Sequence, residues 1–272
     1  MFSAEFLYAD LPDTDGAHSA SICALPNGGL AAVWYAYPEE ETRAARIVIA
    51  RRDPGGAWSK GRVVDLGGTS SLGNPLLFMD PAGVLWLHFI TLKGHFWDSG
   101  IWCVARSNDM GATFAPPSVV CHQAGMMIRH APILTAAGAA LMPAYCERRR
   151  MSIVFTSNAP YTEWRETYSF GETQIIQGCF ARAGNQINIF FRPFDEPFVS
   201  WRSASSDEGR TWSHPMRLSL PNPLSGIASF SLGDRIALVY NNSHNHKRYP
   251  LSISTSPASM NDWSVPRNVD DA

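Results

Sequence analysis

Short apolar segments separated by turn residues recur along the whole chain. The stretch "NPLLFMDPAGVLWLHF" starts at Asn74, and "IASFSLGDRIALVYN" starts at Ile227. Each has the pattern of two strands joined by a tight turn, and such segments are rich in Val, Ile, Phe and Trp. Since no segment keeps a sustained helical period, the pattern predicts an all-β protein built from hairpins.

A polar motif closes each group of strands. It is complete in "SSDEGRTW" (205–212) and in "SNDMGATF" (107–114), where Ser, Asp, Gly and Thr alternate before an aromatic residue. Weaker copies end at Trp58, Trp164 and Trp263, so the closing aromatic residues lie about 50 residues apart. Four short strands in each repeat of this length are typical of a β-propeller blade.

The alternating polar residues have a structural interpretation. An Asp side chain can accept hydrogen bonds from nearby backbone N–H groups and so close a turn between the third and fourth strands. Glycine permits a positive φ within that turn, and the aromatic side chain can pack beneath it. We therefore predict that the motif stabilises the fold and takes no part in catalysis.

Five complete repeats fit the chain, over residues 20–66, 74–122, 131–170, 175–220 and 227–270. A further strand, "AEFLYADL" (4–11), precedes the first repeat. We expect it to be the outer strand of a sixth blade, whose inner strands would follow Ala272. The sequence therefore predicts one six-bladed propeller domain over residues 1–272, truncated at its C-terminus.

Composition narrows the classes of function. The formal net charge of −2 lacks the basic surplus of a nucleic-acid-binding surface. No apolar run has the length of a membrane span, and the N-terminus has no signal-peptide pattern. The five cysteines form no CxxC pair. We expect a cytoplasmic protein without a metal or cofactor, and its oligomeric state is open.

The S-x-D-x-G-x-T-W repeat resembles the Asp-box, or BNR repeat, of the sialidase (neuraminidase) superfamily, most closely its six-bladed bacterial members. The resemblance covers nearly the whole chain and includes "GNPLLF", "IRHAPI" and "LMPAYCE". It implies a propeller with an exo-glycoside hydrolase site for sialic acid or a related acidic sugar. Asp-boxes also occur in lyases and receptors, so the function depends on the site.

Loops that open onto one face of a propeller supply the candidate site. Family members hold the substrate carboxylate with three arginines, and planar guanidinium groups suit this task. We predict that the carboxylate is bound by Arg129, Arg192 and Arg248. The further substrate-binding candidates on this face are His18, His130, Gln177, Asn222 and Asn241.

The resemblance also implies the catalytic groups. Sialidases use a tyrosine nucleophile, and Glu147 at the end of "LMPAYCE" corresponds to the Glu that activates it. Glu40 or Glu41 in "YAYPEEETR" could be the general acid, where sialidases have Asp. The nucleophile is expected beyond Ala272, and Tyr145 or Tyr249 could substitute for it, although no motif supports either. The arginine motif of true sialidases is missing, since "GAHSAS" stands in its place.

Two other functions stay open at this stage. The chain could be a propeller that binds glycans without cleaving them. It could also be a polysaccharide lyase, in which His18 or His130 acts with a tyrosine on a uronate bound by arginine. A lyase would form an unsaturated product that absorbs ultraviolet light, whereas hydrolysis forms none.

Overall fold

The computed structural model describes residues 5, 7, 14–38, 44–68, 70–94 and 96–270. The chain divides into two compact units, Met1–Ala131 and Pro132–Ala272. Both units are built from antiparallel sheets, and in each sheet the strands are ordered as they follow one another in the sequence.

The first unit contains two four-stranded sheets. The strands of the first sheet are β1 (Gly16–Ala24), β2 (Leu30–Tyr37), β3 (Arg46–Arg52) and β4 (Arg62–Val63). The strands of the second sheet are β5 (Ser71–Met79), β6 (Leu85–Leu92), β7 (Gly100–Ser107) and β8 (Ser118–Cys121). A short 3-10 helix, Trp97–Ser99, lies between β6 and β7, and β9 (Met126–Ile128) follows the second sheet.

The second unit contains three further sheets of the same pattern. The strands of the third sheet are β10 (Ile133–Leu134), β11 (Ala140–Cys146), β12 (Met151–Ser157) and β13 (Arg165–Ser169). The strands of the fourth are β14 (Ile175–Ala183), β15 (Gln186–Pro193), β16 (Val199–Ser205) and β17 (Met216–Pro221). The strands of the fifth are β18 (Ala228–Leu232), β19 (Arg235–Asn241), β20 (Leu251–Pro257) and β21 (Arg267–Asp270).

These sheets are β-propeller blades, so the predicted all-β fold is confirmed. The described residues form five blades at the positions that the repeat predicted. A sixth blade is not found among these residues, and the six-bladed prediction is not confirmed. Most of the predicted leading strand, residues 4–11, lies outside the described part of the chain. Of its residues, Glu5 accepts hydrogen bonds from Arg52 and Trp58, at 3.2 and 3.1 Å.

The apolar residues of neighbouring blades form the core within each unit. In the first unit, Leu77 of β5 and Leu87 of β6 are fully buried against Val33 and Ile49 of the preceding blade. In the second unit, Phe180 and Phe191 of the fourth blade pack with Leu141 of the third. Blade faces buried on both sides explain why the inner strands have continuous apolar runs instead of simple alternation.

The polar motif closes its turn as the sequence predicts. Asp207 accepts hydrogen bonds from the backbone N–H and the hydroxyl of Thr211, at 2.9 and 2.6 Å, and one from the Ser205 hydroxyl at 2.8 Å. These bonds, those from Thr211 first, lower the pKa of Asp207 to about 2. Gly209 has φ +83°, and Trp212 is buried with its indole N–H donating to the Gly209 carbonyl. The motif is therefore a structural clip between the third and fourth strands.

A buried histidine in the second blade predicts sensitivity to acid. His88 accepts a hydrogen bond from the Trp102 indole at 3.1 Å, and burial lowers its pKa to about 3. The unfolded chain therefore binds a proton near pH 6.5 that the folded chain does not. Stability is complete above that pH and falls as the pH decreases toward 3. Between pH 7 and 5 we expect a loss of about 2 kcal/mol from His88 alone.

Urea unfolding at pH 7, 6 and 5 measures this loss. In His88→Gln, the amide oxygen can still accept from Trp102 but cannot be protonated, so this part of the pH dependence should disappear. His214→Gln, at an exposed histidine of the second unit, should retain it. If the free energy of unfolding of His88→Gln falls with pH as steeply as that of the wild type, His88 is not the source of the acid sensitivity.

No helix in the described part of the chain is long and apolar enough to span a membrane.

Candidate functional site

Five of the predicted site residues come together in the second unit. Tyr145 lies near the end of β11 and Glu147 directly follows that strand. Arg192 is next to the end of β15, and Arg248 lies in the β19–β20 loop. These are the corresponding connections of three consecutive blades, each joining a second strand to a third. Gln177 reaches the same place from β14, the first strand of the fourth blade.

The two arginines share one acceptor. Arg192 donates to the backbone carbonyl of Leu224 at 2.6 Å, and Arg248 donates to the same oxygen at 3.3 Å. Two guanidinium groups therefore converge on one oxygen atom. With Glu147 as the neighbouring carboxylate, the formal charge of the cluster is +1 (two positive, one negative), which favours an anionic ligand.

A tight turn presents the Leu224 carbonyl. The Asn222 side chain accepts from the backbone N–H of Ser225 at 2.9 Å and donates to the Ser225 carbonyl at 3.1 Å. Leu224 between them has φ +58°, a conformation that is strained for a bulky residue. Asn222, predicted to contact substrate, is thus fully buried and bonded within the turn that orients the acceptor.

Asn241 has a comparable position relative to the second arginine. It ends β19 and donates to the backbone carbonyl of Arg248 at 2.6 Å. The loop is further closed by a hydrogen bond from the N–H of Asn242 to the carbonyl of Pro250, at 3.0 Å. Asn241 therefore fixes the backbone that carries Arg248, and it does so through the backbone rather than the guanidinium group.

Gln177 reaches Tyr145 because of a β-bulge. The register between β14 and β15 shifts between Ile176 and Cys179, and Gln177 within the shift has φ +55°. A bulge turns a side chain away from its regular direction, and here the Gln177 amide donates to the Tyr145 hydroxyl at 3.3 Å. The adjacent Gly178 allows the bulge, since a Cβ there would lie 2.8 Å from Ile189.

Burial dominates the electrostatics of Arg192. It lowers the pKa of the guanidinium, the charges of Tyr145 and Glu147 raise that pKa, and Arg248 lowers it. The Arg192 Nε atom is buried and has no hydrogen-bond partner among the described residues. The guanidinium thus stays cationic in a poorly hydrated position, where its attraction for an anion is strong.

Access differs between the two candidate catalytic groups. Tyr145 is only 1% exposed, so its hydroxyl is shielded from solvent in this conformation. Glu147, two residues later, is half-buried at the start of the turn to β12. Glu147 is therefore the more accessible of the two groups.

Three further predicted site residues, Arg129, His130 and His18, belong to the first unit. Arg129 follows β9 and donates to the carbonyl of Ala20 at 3.4 Å. The Nε2 atom of His130 is buried and has no partner among the described residues, and burial and Arg129 lower the pKa of His130 to about 3. His130 is therefore neutral near pH 7. His18 is exposed on β1, with its ring 5.6 Å from that of Tyr35.

Glu40 and Glu41 lie outside the described residues, and their proposed role as general acid stays a prediction.

Sequence reasoning missed the bulges that position polar residues. The inner strands β1 and β5 also shift register, and Ser19 (φ +58°) and Asn74 (φ +43°) lie within those shifts. An isolated glycine within a strand pattern indicates such a bulge. Gly73 before Asn74 and Gly178 after Gln177 were therefore usable signals in the sequence.

One cleft of the first unit is lined by other residues. It has a volume of about 610 Å³ and lies in the first unit beside the outer strands of the first blade, lined in part by Arg46, Asp65, Gly67 and Leu72. None of the predicted site residues that the structure describes lines it. The described residues also contain no group of three or more His, Cys, Asp or Glu side chains arranged to hold a metal ion.

Comparison with known proteins places the chain in a family. The described sheets and clips define a propeller of Asp-box blades. The model of the BNR repeat-like domain matches residues 28–272. The chain therefore belongs to the BNR repeat-like domain family, and its predicted place in the sialidase/BNR-repeat superfamily is confirmed. A search of curated protein sequences found no match.

Solved structures share the fold at low sequence identity. The NanB sialidase from Streptococcus pneumoniae superposes with a TM-score of 0.81 at 11% identity, over 99% of this chain and 63% of that one. A Hadza microbial sialidase gives 0.77 at 15% identity, over 94% of this chain and 59% of that one. The alpha-L-arabinanase of Penicillium chrysogenum, complexed with arabinobiose, gives 0.66 at 17%, over 91% and 80%. The chain thus spans about 60% of the length of these two sialidases.

Proposed function

We propose that the chain is a sialidase-like glycoside hydrolase whose second unit binds an acidic sugar. The single observation that carries this proposal is the convergence of Arg192 and Arg248 on the Leu224 carbonyl oxygen. A substrate carboxylate presents two oxygens of the same hydrogen-bonding type and a full negative charge. It can therefore bridge the two guanidinium groups more strongly than a neutral carbonyl does.

The neighbouring residues suit glycoside cleavage. Glycosidases need a carboxylate beside the anomeric carbon, or a tyrosine nucleophile assisted by one. We propose that Glu147 accepts the proton of the hydroxyl group that attacks the anomeric carbon, since Glu147 is half-buried beside the arginine pair. Gln177 orients the Tyr145 hydroxyl through its 3.3 Å hydrogen bond. The relatives named as sialidases support an acidic substrate, and the arabinanase supports cleavage of glycosidic bonds more broadly.

Glu147→Gln tests the hydrolase assignment. With a panel of fluorogenic glycosides of sialic and uronic acids, the wild-type chain should release the fluorophore. The substitution keeps the size of the side chain but removes its proton-accepting carboxylate, so kcat should fall by about 100-fold or more. Glu163→Gln provides the matched control, because Glu163 is exposed in the same unit and pairs only with Arg165 among the described residues.

Two results would contradict the hydrolase assignment. One is equal turnover by the two variants. The other is absence of turnover on every acidic glycoside by a wild-type chain that unfolds cooperatively.

One observation favours a second function, the binding of an acidic glycan without its cleavage. Tyr145 is 1% exposed, so its hydroxyl cannot reach an anomeric carbon without a conformational change. If the chain binds an acidic glycan without cleaving it, calorimetry should detect binding that weakens in Arg248→Lys while the glycoside panel stays intact. This outcome would keep the arginine site and remove the hydrolase.

A further inference from the structure

The first blade contains a copy of the polar motif that keeps the aspartate and loses its partners. In "ARRDPGGAW" (50–58), Asp53 and Trp58 occupy the positions of the aspartate and of the closing aromatic residue. Arg51 stands in place of the serine and Ala57 in place of the threonine. The two hydroxyl groups that bind the aspartate in the complete motif therefore have no counterpart around Asp53.

The two other incomplete copies show the opposite change. They keep the serine, as Ser157 and Ser256, and have Ala159 and Ala258 in place of the aspartate. In those blades the carboxylate is lost together with the clip. In the first blade the carboxylate is kept although the clip is lost, so closing the turn does not explain Asp53.

The turn of the first blade is closed without the Asp53 carboxylate. The backbone N–H of Gly56 donates to the Asp53 carbonyl at 3.0 Å, and the Arg52 guanidinium donates to the Gly56 carbonyl at 2.8 Å. Within the described ranges, no group donates a hydrogen bond to the Asp53 carboxylate, and the residue is exposed. By contrast, the Asp207 carboxylate accepts three hydrogen bonds within its own motif. The Asp53 carboxylate is therefore available to a ligand.

Asp53 lines a pocket of about 230 Å³ at the end of the first blade where its two hairpin turns lie. The pocket is also lined by Asn27 of the β1–β2 turn, Arg51 near the end of β3, Trp58 of the β3–β4 connection and Met110 of the second blade. Because neighbouring strands are antiparallel, this end of the blade is opposite to its β2–β3 connection. The pocket thus does not involve the type of connection, from a second strand to a third, that carries the arginines of the second unit.

The polar groups of the pocket match the hydroxyl groups of a neutral ligand. Asp53 contributes an acceptor, and Arg51 contributes N–H donors, of which Nη1 lies 3.5 Å from the Asp109 carbonyl. The Oδ1 atom of Asn27 accepts from the Gly29 N–H at 2.9 Å, which leaves the amide N–H groups of Asn27 to donate. The formal charges of Arg51 and Asp53 cancel (one positive, one negative), so the pocket favours neither an anion nor a cation.

Two side chains give the pocket an apolar wall. The Trp58 indole is half-buried, and its N–H donates to the Glu5 carboxylate at 3.1 Å, which fixes the ring. Met110 is also half-buried, and its flexible thioether side chain can adapt to an irregular apolar surface. A sugar ring has apolar C–H groups beside its hydroxyls, so it suits a pocket that combines such a wall with hydrogen-bonding groups.

We propose that this pocket of the first blade binds a single neutral hexopyranose ring. Hydroxyl groups on adjacent carbon atoms donate to the Asp53 carboxylate and accept from Arg51 and Asn27, while C–H groups of the ring pack against Trp58 and Met110. The volume of about 230 Å³ agrees with one ring, because pockets for drug-sized ligands measure roughly 300–1,000 Å³. The site does not depend on the proposed hydrolase, since none of its groups belongs to the arginine site.

Methyl glycosides of glucose, galactose and mannose are the probes for this pocket. Saturation-transfer NMR identifies the glycoside that binds the wild-type chain, and titration gives its Kd. Asp53→Ala removes the exposed acceptor and leaves the bonds that close the turn, so the Kd should rise by about tenfold or more. Asp234→Ala, at an exposed aspartate between β18 and β19, should leave the Kd unchanged.

Rebuilding the complete motif is a second test. The double substitution Arg51→Ser with Ala57→Thr supplies the two hydroxyl groups that hold the aspartate in the complete copies. Asp53 should then close the turn, so the urea midpoint should rise while the Kd of the glycoside rises by about tenfold or more. The higher urea midpoint distinguishes this loss of binding from a failure to fold.

Two results would overturn the proposal. In the first, none of the three methyl glycosides binds the wild-type chain. In the second, a glycoside binds, and neither Asp53→Ala nor the rebuilt motif weakens its binding in variants that unfold cooperatively.

The two sites can fail independently. Asp53→Ala should leave the turnover of acidic glycosides unchanged, and Arg192→Lys should leave the binding of the neutral methyl glycosides unchanged. Failure of the acidic glycoside assays, with binding that depends on Asp53 intact, would leave a neutral-sugar site on a chain without the proposed hydrolase activity.

Discussion

Arg192→Lys is expected to lower kcat/KM for an acidic glycoside by about 100-fold, equivalent to about 2.7 kcal/mol. Lysine keeps the positive charge but has no planar fork, so it cannot hold the Leu224 carbonyl and a substrate carboxylate together. The half-buried position adds to this loss, because the Nε atom is shielded from solvent and little water can replace its missing N–H group there. For a neutral glycoside of the same leaving group, the effect should be less than about threefold.

Arg235→Lys is the matched control for this substitution. Arg235 begins β19 and donates to Thr255 of β20, at the end of the strand away from the β19–β20 loop. The Arg235→Lys substitution should leave kcat/KM unchanged for acidic and for neutral glycosides. An equal fall on acidic and neutral glycosides in Arg192→Lys would show that the variant disturbs the blade instead of carboxylate binding.

Gly209→Ala should destabilise the chain by about 3 kcal/mol. The residue has φ +83°, which costs an L-residue about 1–2 kcal/mol. The new methyl group would also lie 2.5 Å from Cδ1 of Leu141, a buried core residue of the neighbouring blade. Overpacking of a fixed core costs roughly 1–3 kcal/mol more.

Gly233→Ala separates the two contributions. Gly233 also has a positive φ, +60°, but a Cβ atom there meets nothing within 4 Å. Urea unfolding should therefore show a loss of about 1 kcal/mol, from the backbone alone. If both variants lose the same stability, the contact between Gly209 of the Asp-box and Leu141 of the neighbouring blade does not contribute to the requirement for glycine.

The fold was predictable because each blade carries its own local signal. Hairpin turns, apolar strands and the clip around Asp207 all act over a few residues, so they can be identified without knowing any long-range contact. The same reasoning explained the positive φ of Gly209. It did not reveal that a neighbouring side chain also leaves no room for a Cβ atom at this position. Leu141 lies far away in the sequence, and only packing between blades brings it to the glycine.

The site was predictable only in part, for a similar reason. The types and approximate loops of Glu147, Arg192 and Arg248 followed from the resemblance to sialidases. The acceptor that joins the arginines is a backbone carbonyl, that of Leu224, and no side-chain pattern reveals it. Asn222 looked like a polar contact for substrate, yet its amide nitrogen and its amide oxygen are both hydrogen-bonded within the turn. Roles that depend on backbone direction are not encoded in residue type.

The most direct test of the account compares an acidic sugar with its methyl ester. Calorimetry on the wild-type chain would measure the Kd of a sialic acid α-glycoside and of the same compound with its carboxylate esterified. If Arg192 and Arg248 bind the carboxylate, the ester should bind about 100-fold more weakly, and Arg192→Lys should remove most of that difference. Equal affinity for the acid and the ester would contradict the central claim that this arginine pair recognises an acidic sugar.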